Sequence, residues 1–226
     1  MSYIINKTNI FLHIPKTGGS WVNFVIENSN LDIEKIGYNK HTTYDYIASK
    51  LNQSFDKSHI YRRMLPRLPS RKYKYFAVIR NPLTWYESFY KHQKRNNFKI
   101  YGSLGNSYRW HVWSCFSKIR ANDFNLFMDE ILEKYPGYLT YLYNTYLLNS
   151  GAYYLKKESL RYDLYKLGKV LNINFDEELI FSSEKKNTSS DEKILWKKEI
   201  YDKVILYEYS IFKKYDYQTR GIIEFI

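Results

Sequence analysis

The stretch FLHIPKTGGSWV, residues 11–22, constrains this chain more than any other. An apolar run of buried-strand length, NIFLHI at 9–14, leads into it. A helical pattern leaves it: in SWVNFVIENS at 20–29, Trp21, Phe24, Val25 and Asn28 recur at i, i+3, i+4 and i+7. Between them stand a proline, a lysine, a threonine and two glycines. A strand that turns this way into a helix predicts a βα unit. The helix N-terminus offers N–H groups and a partial positive charge. Gly18 and Gly19 permit positive φ and a close backbone approach. Lys16 adds a full charge, and Thr17 and Ser20 add hydroxyls. The combination predicts an anion cradle.

The alternation continues along the chain. LDIEKIG (31–37), KYFAVIR (74–80) and AYYLKK (152–157) read as further strands. Helices are predicted over 42–51, 81–95, 123–135, 137–149, 159–172 and roughly 190–214, with Asn81 as N-cap and Pro82 at the first helical position of the second. Residues 97–122 read as irregular. This order predicts the α/β class: a three-layer α/β/α arrangement around a mostly parallel sheet. Residues 1–226 read as one domain, with a helical insertion at about 97–149 that suits an acceptor. In such sheets ligands bind at the carboxyl ends of the strands, where the 15–19 loop lies.

Composition adds less. Lys and Arg total 35 against 23 Asp and Glu, a net charge of +12. That excess points to an anionic partner such as nucleic acid, a membrane surface or a phosphorylated or sulfated ligand. It is equally what an AT-rich genome produces in a chain heavy in lysine, asparagine, isoleucine and tyrosine. The single cysteine, Cys115, excludes an intrachain disulfide and a cysteine metal site. No apolar run reaches the ~18 residues that span a bilayer, and the first residues hold no signal-peptide core. A cytoplasmic location without a membrane span is expected.

Which anion the loop takes depends on spacing. In the Walker pattern the lysine follows the glycines; here Lys16 precedes them. An NTPase also needs a carboxylate to hold Mg²⁺, commonly at a strand end. The strand at 74–80 ends instead in Arg80, and a cation there suggests a second anion. On the helix that follows, Thr84, Ser88 and His92 are spaced by four along one polar stripe. A guanidinium fork and a serine hydroxyl suit one phosphate.

Together the two clusters resemble the sulfotransferases that use 3′-phosphoadenosine-5′-phosphosulfate (PAPS). HIPKTGGSW is similar to their 5′-phosphosulfate loop. RNPLTWYESFY is similar to their 3′-phosphate motif, in which a serine follows the arginine by eight residues, as Ser88 follows Arg80. Weaker likeness extends over most of the chain, in NKHTTYDYI, KYPGYLTYLYNTY, YYLKKESLRYDLYKLGKVLNI and KKNTSS…YEYSIFKKYDY. The resemblance implies a P-loop-like 5′-phosphosulfate loop formed by Lys16, Thr17, Gly18, Gly19, Ser20 and Trp21. It implies Arg80 and Ser88 on the 3′-phosphate, PAPS as donor with 3′-phosphoadenosine-5′-phosphate (PAP) as product, and no required metal. Lys16 would neutralise charge on the leaving oxygen. Trp21 would lie against the adenine or pack in the core. Lys185 and Lys186, beside Asn187 and Ser189, would close over the nucleotide or form a solvated loop. Many carbohydrate-acting members carry an arginine where this chain has Trp85.

The general base is sought among five histidines. His41, after the second strand, comes first, then His59, 21 residues before Arg80, then Glu158 or an acid from 97–122. His13 reads as packing or loop support, His92 as part of the nucleotide-side helix, and His111 as one of the irregular stretch. Tyr101, Arg109, Trp110, Trp113 and the PGYLTYLY helix would line the acceptor, a carbohydrate or small-molecule hydroxyl. A Mg-ATP-dependent kinase or NTPase, and a non-catalytic binder of polyanions, are the alternative readings. Oligomeric state is not legible, and no specific nucleic-acid partner is expected.

Overall fold

The computed structural model describes residues 1–37, 41–53, 72–98, 116, 119–147, 150–183 and 193–219. Its sheet contains five strands: β1 (Ser2–Ile5), β2 (Asn9–Leu12), β3 (Ile33–Ile36), β4 (Lys74–Ile79) and β5 (Tyr153–Lys156). Their order is β3-β1-β2-β4-β5. β2, β4 and β5 pair in parallel, whereas β1 is antiparallel to both β2 and β3. The sheet is therefore mixed: four strands point one way and β1 the other.

The sequence reading takes residues 1–8 as a lead-in to the first strand; they form β1 instead. The hairpin was hidden because its turn contains no glycine. Asn6 and Lys7 both take positive φ, at 48° and 61°. Asparagine does so readily, lysine rarely. Asn6 is held there by Asp32, whose carbonyl accepts its N–H at 2.8 Å.

The chain divides into two compact units. Unit 1 comprises Met1–Ile79 and Tyr143–Asn187 and contains the whole sheet. Its helices are α1 (Gly19–Asn28), α2 (Tyr44–Gln53), α6 (Leu160–Leu171) and α7 (Glu177–Ser182). Alternate strand residues point to one face. Tyr3, Phe11, Phe76 and Leu155 share a face and pack with Val22, Val25 and Ile26 of α1 and Leu164, Leu167 and Leu171 of α6. On the other face Tyr75 meets Tyr44 of α2 edge-on at 5.2 Å. β4 is buried on every residue but its first, which explains its continuous apolar run.

Unit 2 comprises Arg80–Leu142 and Thr188–Ile226. It holds α3 (Pro82–Arg95), α4 (Phe124–Lys134), α8 (Lys198–Tyr207) and α9 (Tyr209–Lys214); the division falls within α5 (Tyr138–Leu147). Its core is aromatic. Trp85 stacks on Phe89 at 5.2 Å, and Phe124 meets Trp196 at 4.7 Å. Asn81 caps α3 as expected, its Oδ1 accepting the Leu83 N–H at 3.0 Å. Asp123 caps α4 in the same way through the Leu126 N–H.

The helical run expected at roughly 190–214 breaks at Glu208, between α8 and α9. That residue is fully buried. Its carboxylate accepts the Leu139 and Thr140 N–H groups, the Thr140 hydroxyl and the Tyr86 hydroxyl at 2.6–2.9 Å, capping the start of α5. Among the described residues no helix is long and apolar enough to cross a membrane.

Candidate functional site

Unit 1 carries the glycine loop. β2 ends at Leu12, and α1 starts at Gly19 with Gly18 as its N-cap. No side chain caps the helix, and its first turn contains no acidic residue. Gly18 has φ of 98° and Lys16 of 63°. Positive φ on either side of Thr17 is the kind of alternation from which backbone anion nests are built. For lysine this conformation costs about 1–2 kcal/mol, so the surrounding fold enforces it. Thr17 is fully buried, and its hydroxyl donates inward to the Ile14 carbonyl at 2.9 Å. That hydroxyl is engaged within the loop and holds its shape. Lys16 and Ser20 are half-buried.

Beneath the loop lies His13, 2% exposed. Its Nδ1 is 3.2 Å from Asn23 Nδ2. His41 meets it edge-on, with ring centroids 4.9 Å apart. His41 Nδ1 lies 3.2 Å from the His13 carbonyl, which only accepts, so Nδ1 carries a proton. The Tyr146 hydroxyl donates to the His41 carbonyl at 2.8 Å. Burial pushes the Tyr146 hydroxyl far above its usual range, so it remains a donor. His41 is thus tied to the end of β2 through His13 and to α5 through Tyr146.

Two basic residues that the sequence reading passed over stand about the start of α1. Lys157, directly after β5, lays its side chain against Gly18. Arg161 lies over the Trp21 ring at 5.4 Å and donates to the carbonyls of Ile180 and Ser183. Trp21 is 5% exposed, belongs to the core, and donates its indole N–H to Ser183 at 3.0 Å. Of the two roles offered for Trp21, core packing is the one visible here.

Unit 2 carries the second cluster. Arg80 follows the last residue of β4, and its Nε donates to Thr84 Oγ1 at 3.0 Å. That hydroxyl donates onward to the Asn81 carbonyl at 3.2 Å. Ser88, one turn later, is 6% exposed. His92 is in the last turn of α3, beside Asn96, where a basic ring suits the helix C-terminus. Trp85 is wholly buried among aromatics and acts as packing.

His59, His111, Cys115, Lys185, Lys186, Asn187, Ser189, Tyr101, Arg109, Trp110 and Trp113 lie outside the described residues. Among the described residues no group of three metal-ligating side chains occurs. No family model matches the chain, and no curated protein or solved structure does.

The donor set is cationic and hydrogen-bond-donating in both clusters. Lys16, an uncapped helix N-terminus and Arg80 suit anionic oxygen. A neutral imidazole that holds its proton on Nδ1, as His41 does toward the His13 carbonyl, has its basic nitrogen at Nε2.

Proposed function

We propose that the protein is a sulfotransferase that moves the sulfuryl group of PAPS to an acceptor hydroxyl, carbohydrate or small molecule, by in-line displacement. The observation that carries this reading is the ordered pair of anion motifs. Each follows one of two adjacent parallel strands: the Lys16 loop after β2 and Arg80 after β4.

In this reading PAPS supplies an activated sulfuryl group whose charge is lower than that of a phosphoryl group. Lysine and backbone N–H groups suffice to stabilise it, and no metal is required. The residues around Gly18 and Gly19 bind the 5′ end, with Lys16 neutralising charge on the leaving side. Arg80 and Ser88 bind the 3′-phosphate. His41 takes the proton of the acceptor hydroxyl at Nε2. The Nδ1–H bond to the His13 carbonyl supports that role. The reading carries with it a three-layer α/β/α arrangement, a P-loop-like 5′-phosphosulfate loop and a cytoplasmic location.

Calorimetry with PAP, ADP and ATP, with and without Mg²⁺, tests it. Metal-independent preference for PAP, lost in Arg80→Ala, is the expected result. Binding of ATP only with Mg²⁺ would transfer the site to a kinase or NTPase. Equal binding of all three, with a steep salt dependence, would leave a polyanion binder. PAPS-dependent transfer that survives Lys16→Ala would sink the proposal.

A further inference from the structure

His13 lies beneath the glycine loop, 2% exposed, and its ring has no step in the proposed reaction. Its described neighbours are Phe11, Gly19, Asn23, Met1 and His41. Two of them face one ring nitrogen. Asn23 Nδ2 lies 3.2 Å from His13 Nδ1, and the Met1 ammonium lies 3.3 Å from the same atom. An amide nitrogen and an ammonium only donate, so Nδ1 accepts. An imidazole that accepts at Nδ1 is uncharged and carries its proton on Nε2.

Asn23 is 8% exposed, and its Oδ1 has no hydrogen-bond partner among the described residues. A buried acceptor left unpaired costs free energy. Turning the amide over would aim Oδ1 at Nδ1 and draw the ring proton there, against the Met1 ammonium. The fold therefore tolerates the unpaired oxygen and keeps the donor on His13.

The charge of His13 matters because of His41. The two rings meet edge-on with centroids 4.9 Å apart. A cation at that separation disfavours a second one, so a charged His13 would weaken His41 as a base. The titratable groups among the neighbours of His13 are Met1 and His41, and each opposes a positive His13 when it is itself charged.

We infer that Asn23 is a positioning residue that holds His13 in its neutral, Nε2-protonated form, so that of the two facing histidines only His41 takes up a proton. This inference rests on the sulfotransferase reading with His41 as base. As the acceptor's O–H bond breaks, its proton passes to His41 Nε2. The acceptor oxygen bonds to sulfur, and the S–O bond to the departing PAP breaks. His13 stays uncharged throughout.

The test is a pH titration of nitrogen-labelled, ligand-free protein by NMR, from about pH 5 to about pH 9. Ring signals are assigned by their loss in His13→Gln and His41→Ala. His13 is expected to show a bare Nδ1 and a protonated Nε2 across the range, while His41 titrates. A proton on His13 Nδ1, or a His13 that titrates alongside His41, would overturn the inference. This wild-type spectrum decides the state of His13 even if no variant at Asn23 folds. Asn23→Asp replaces the donor with an acceptor. It is expected to raise the titration of His13 by at least about one pH unit, to above its ordinary value of about 6.5. An unmoved His13 in a cooperatively melting Asn23→Asp would show that Asn23 does not set its charge. In PAPS-dependent transfer, the wild-type kcat is expected to rise with pH in one step, that of His41. Asn23→Asp is expected to add a second step, because His41 becomes the stronger base as His13 releases its proton. A lower kcat without a second step would leave Asn23 a merely structural role. A wild type without PAPS-dependent transfer would refute the sulfotransferase reading, and the spectra would still decide which histidine takes the proton.

Discussion

The imidazole of His13 lies flat enough against Gly19 that a Cβ there would stand 2.7 Å from Cδ2 and 2.8 Å from Nε2. The second glycine of the loop is thus fixed by a histidine beneath it. His13 is itself fully enclosed, so it has little room to give way. Gly19→Ala is expected to cost about 1–3 kcal/mol, the range for overpacking. His13→Ala removes the obstacle, and in that background Gly19→Ala is expected to cost much less. Thermal melts of the four proteins measure the coupling. Strictly additive losses would show that the loop escapes the ring.

Thr84 accepts from Arg80 Nε and passes its own proton to the Asn81 carbonyl. Both directions are unambiguous, since guanidinium only donates and carbonyl only accepts. The threonine therefore sets the plane of the guanidinium. Thr84→Val removes the acceptor at nearly constant volume and is expected to weaken PAP binding by about 1 kcal/mol, roughly fivefold. Thr84→Ser is expected to restore it. Calorimetry against PAP decides, and an unchanged affinity in Thr84→Val would show that the arginine orients itself.

What was legible in the sequence follows from how local each signal is. The Asn81 cap, the Pro82 start and the buried run of β4 are set by neighbouring residues, and they stand where the reading has them. β1 was missed because its turn puts an asparagine and a lysine in the left-handed region, the Asn6 N–H being held by the Asp32 carbonyl. Lys157 was missed because nothing in YYLKKES distinguishes a lysine that leaves a strand into water from one folded back over a glycine. Its contact with Gly18 spans more than a hundred residues of chain. The break at Glu208 was hidden for the same reason: its partners are Tyr86, Leu139 and Thr140.

Glu208 is fully buried, and its hydrogen bonds to Tyr86, Leu139 and Thr140 hold α3, α5 and the α8–α9 break together. Glu208→Gln replaces one acceptor oxygen with an amide that cannot accept. It is expected to destabilise the protein by about 1–3 kcal/mol, the cost of a buried donor left unpaired. Glu208→Ala is expected to cost more. Chemical denaturation measures both, and a loss confined to Glu208→Ala would mean that the site tolerates the amide.

Several buried tyrosines make the fold sensitive to alkali. Burial raises the Tyr75, Tyr86 and Tyr146 hydroxyls well above the ordinary value of 10.0, and the nearby Glu208 adds to the rise at Tyr86. Each binds its proton more tightly folded than unfolded. Their contribution to stability is complete below pH 10.0 and is lost as pH rises above it, because the unfolded chain releases these protons first. Melting temperature is expected to fall steeply above that pH, together with a cooperative rise in tyrosinate absorbance. Tyr86→Phe is expected to shift the onset upward. Gradual ionisation without unfolding would contradict this.

Tyr146 and His41 provide the sharpest test of the proposed base. The tyrosine hydroxyl donates to the backbone carbonyl of His41, so in the proposed reaction it acts through the histidine's position. Tyr146→Phe deletes one buried hydrogen bond, a stability cost of about 0.5–1.5 kcal/mol. It is expected to lower kcat while leaving PAP affinity intact. His41→Ala, which removes the base, is expected to lower kcat by about 10²- to 10⁴-fold. If Tyr146 works by holding His41, the double variant is no slower than His41→Ala alone, because the group being positioned is already gone. Multiplicative losses in the double variant would separate the two residues. A kcat that survives His41→Ala would send the search for the base to the other candidates, His59 first.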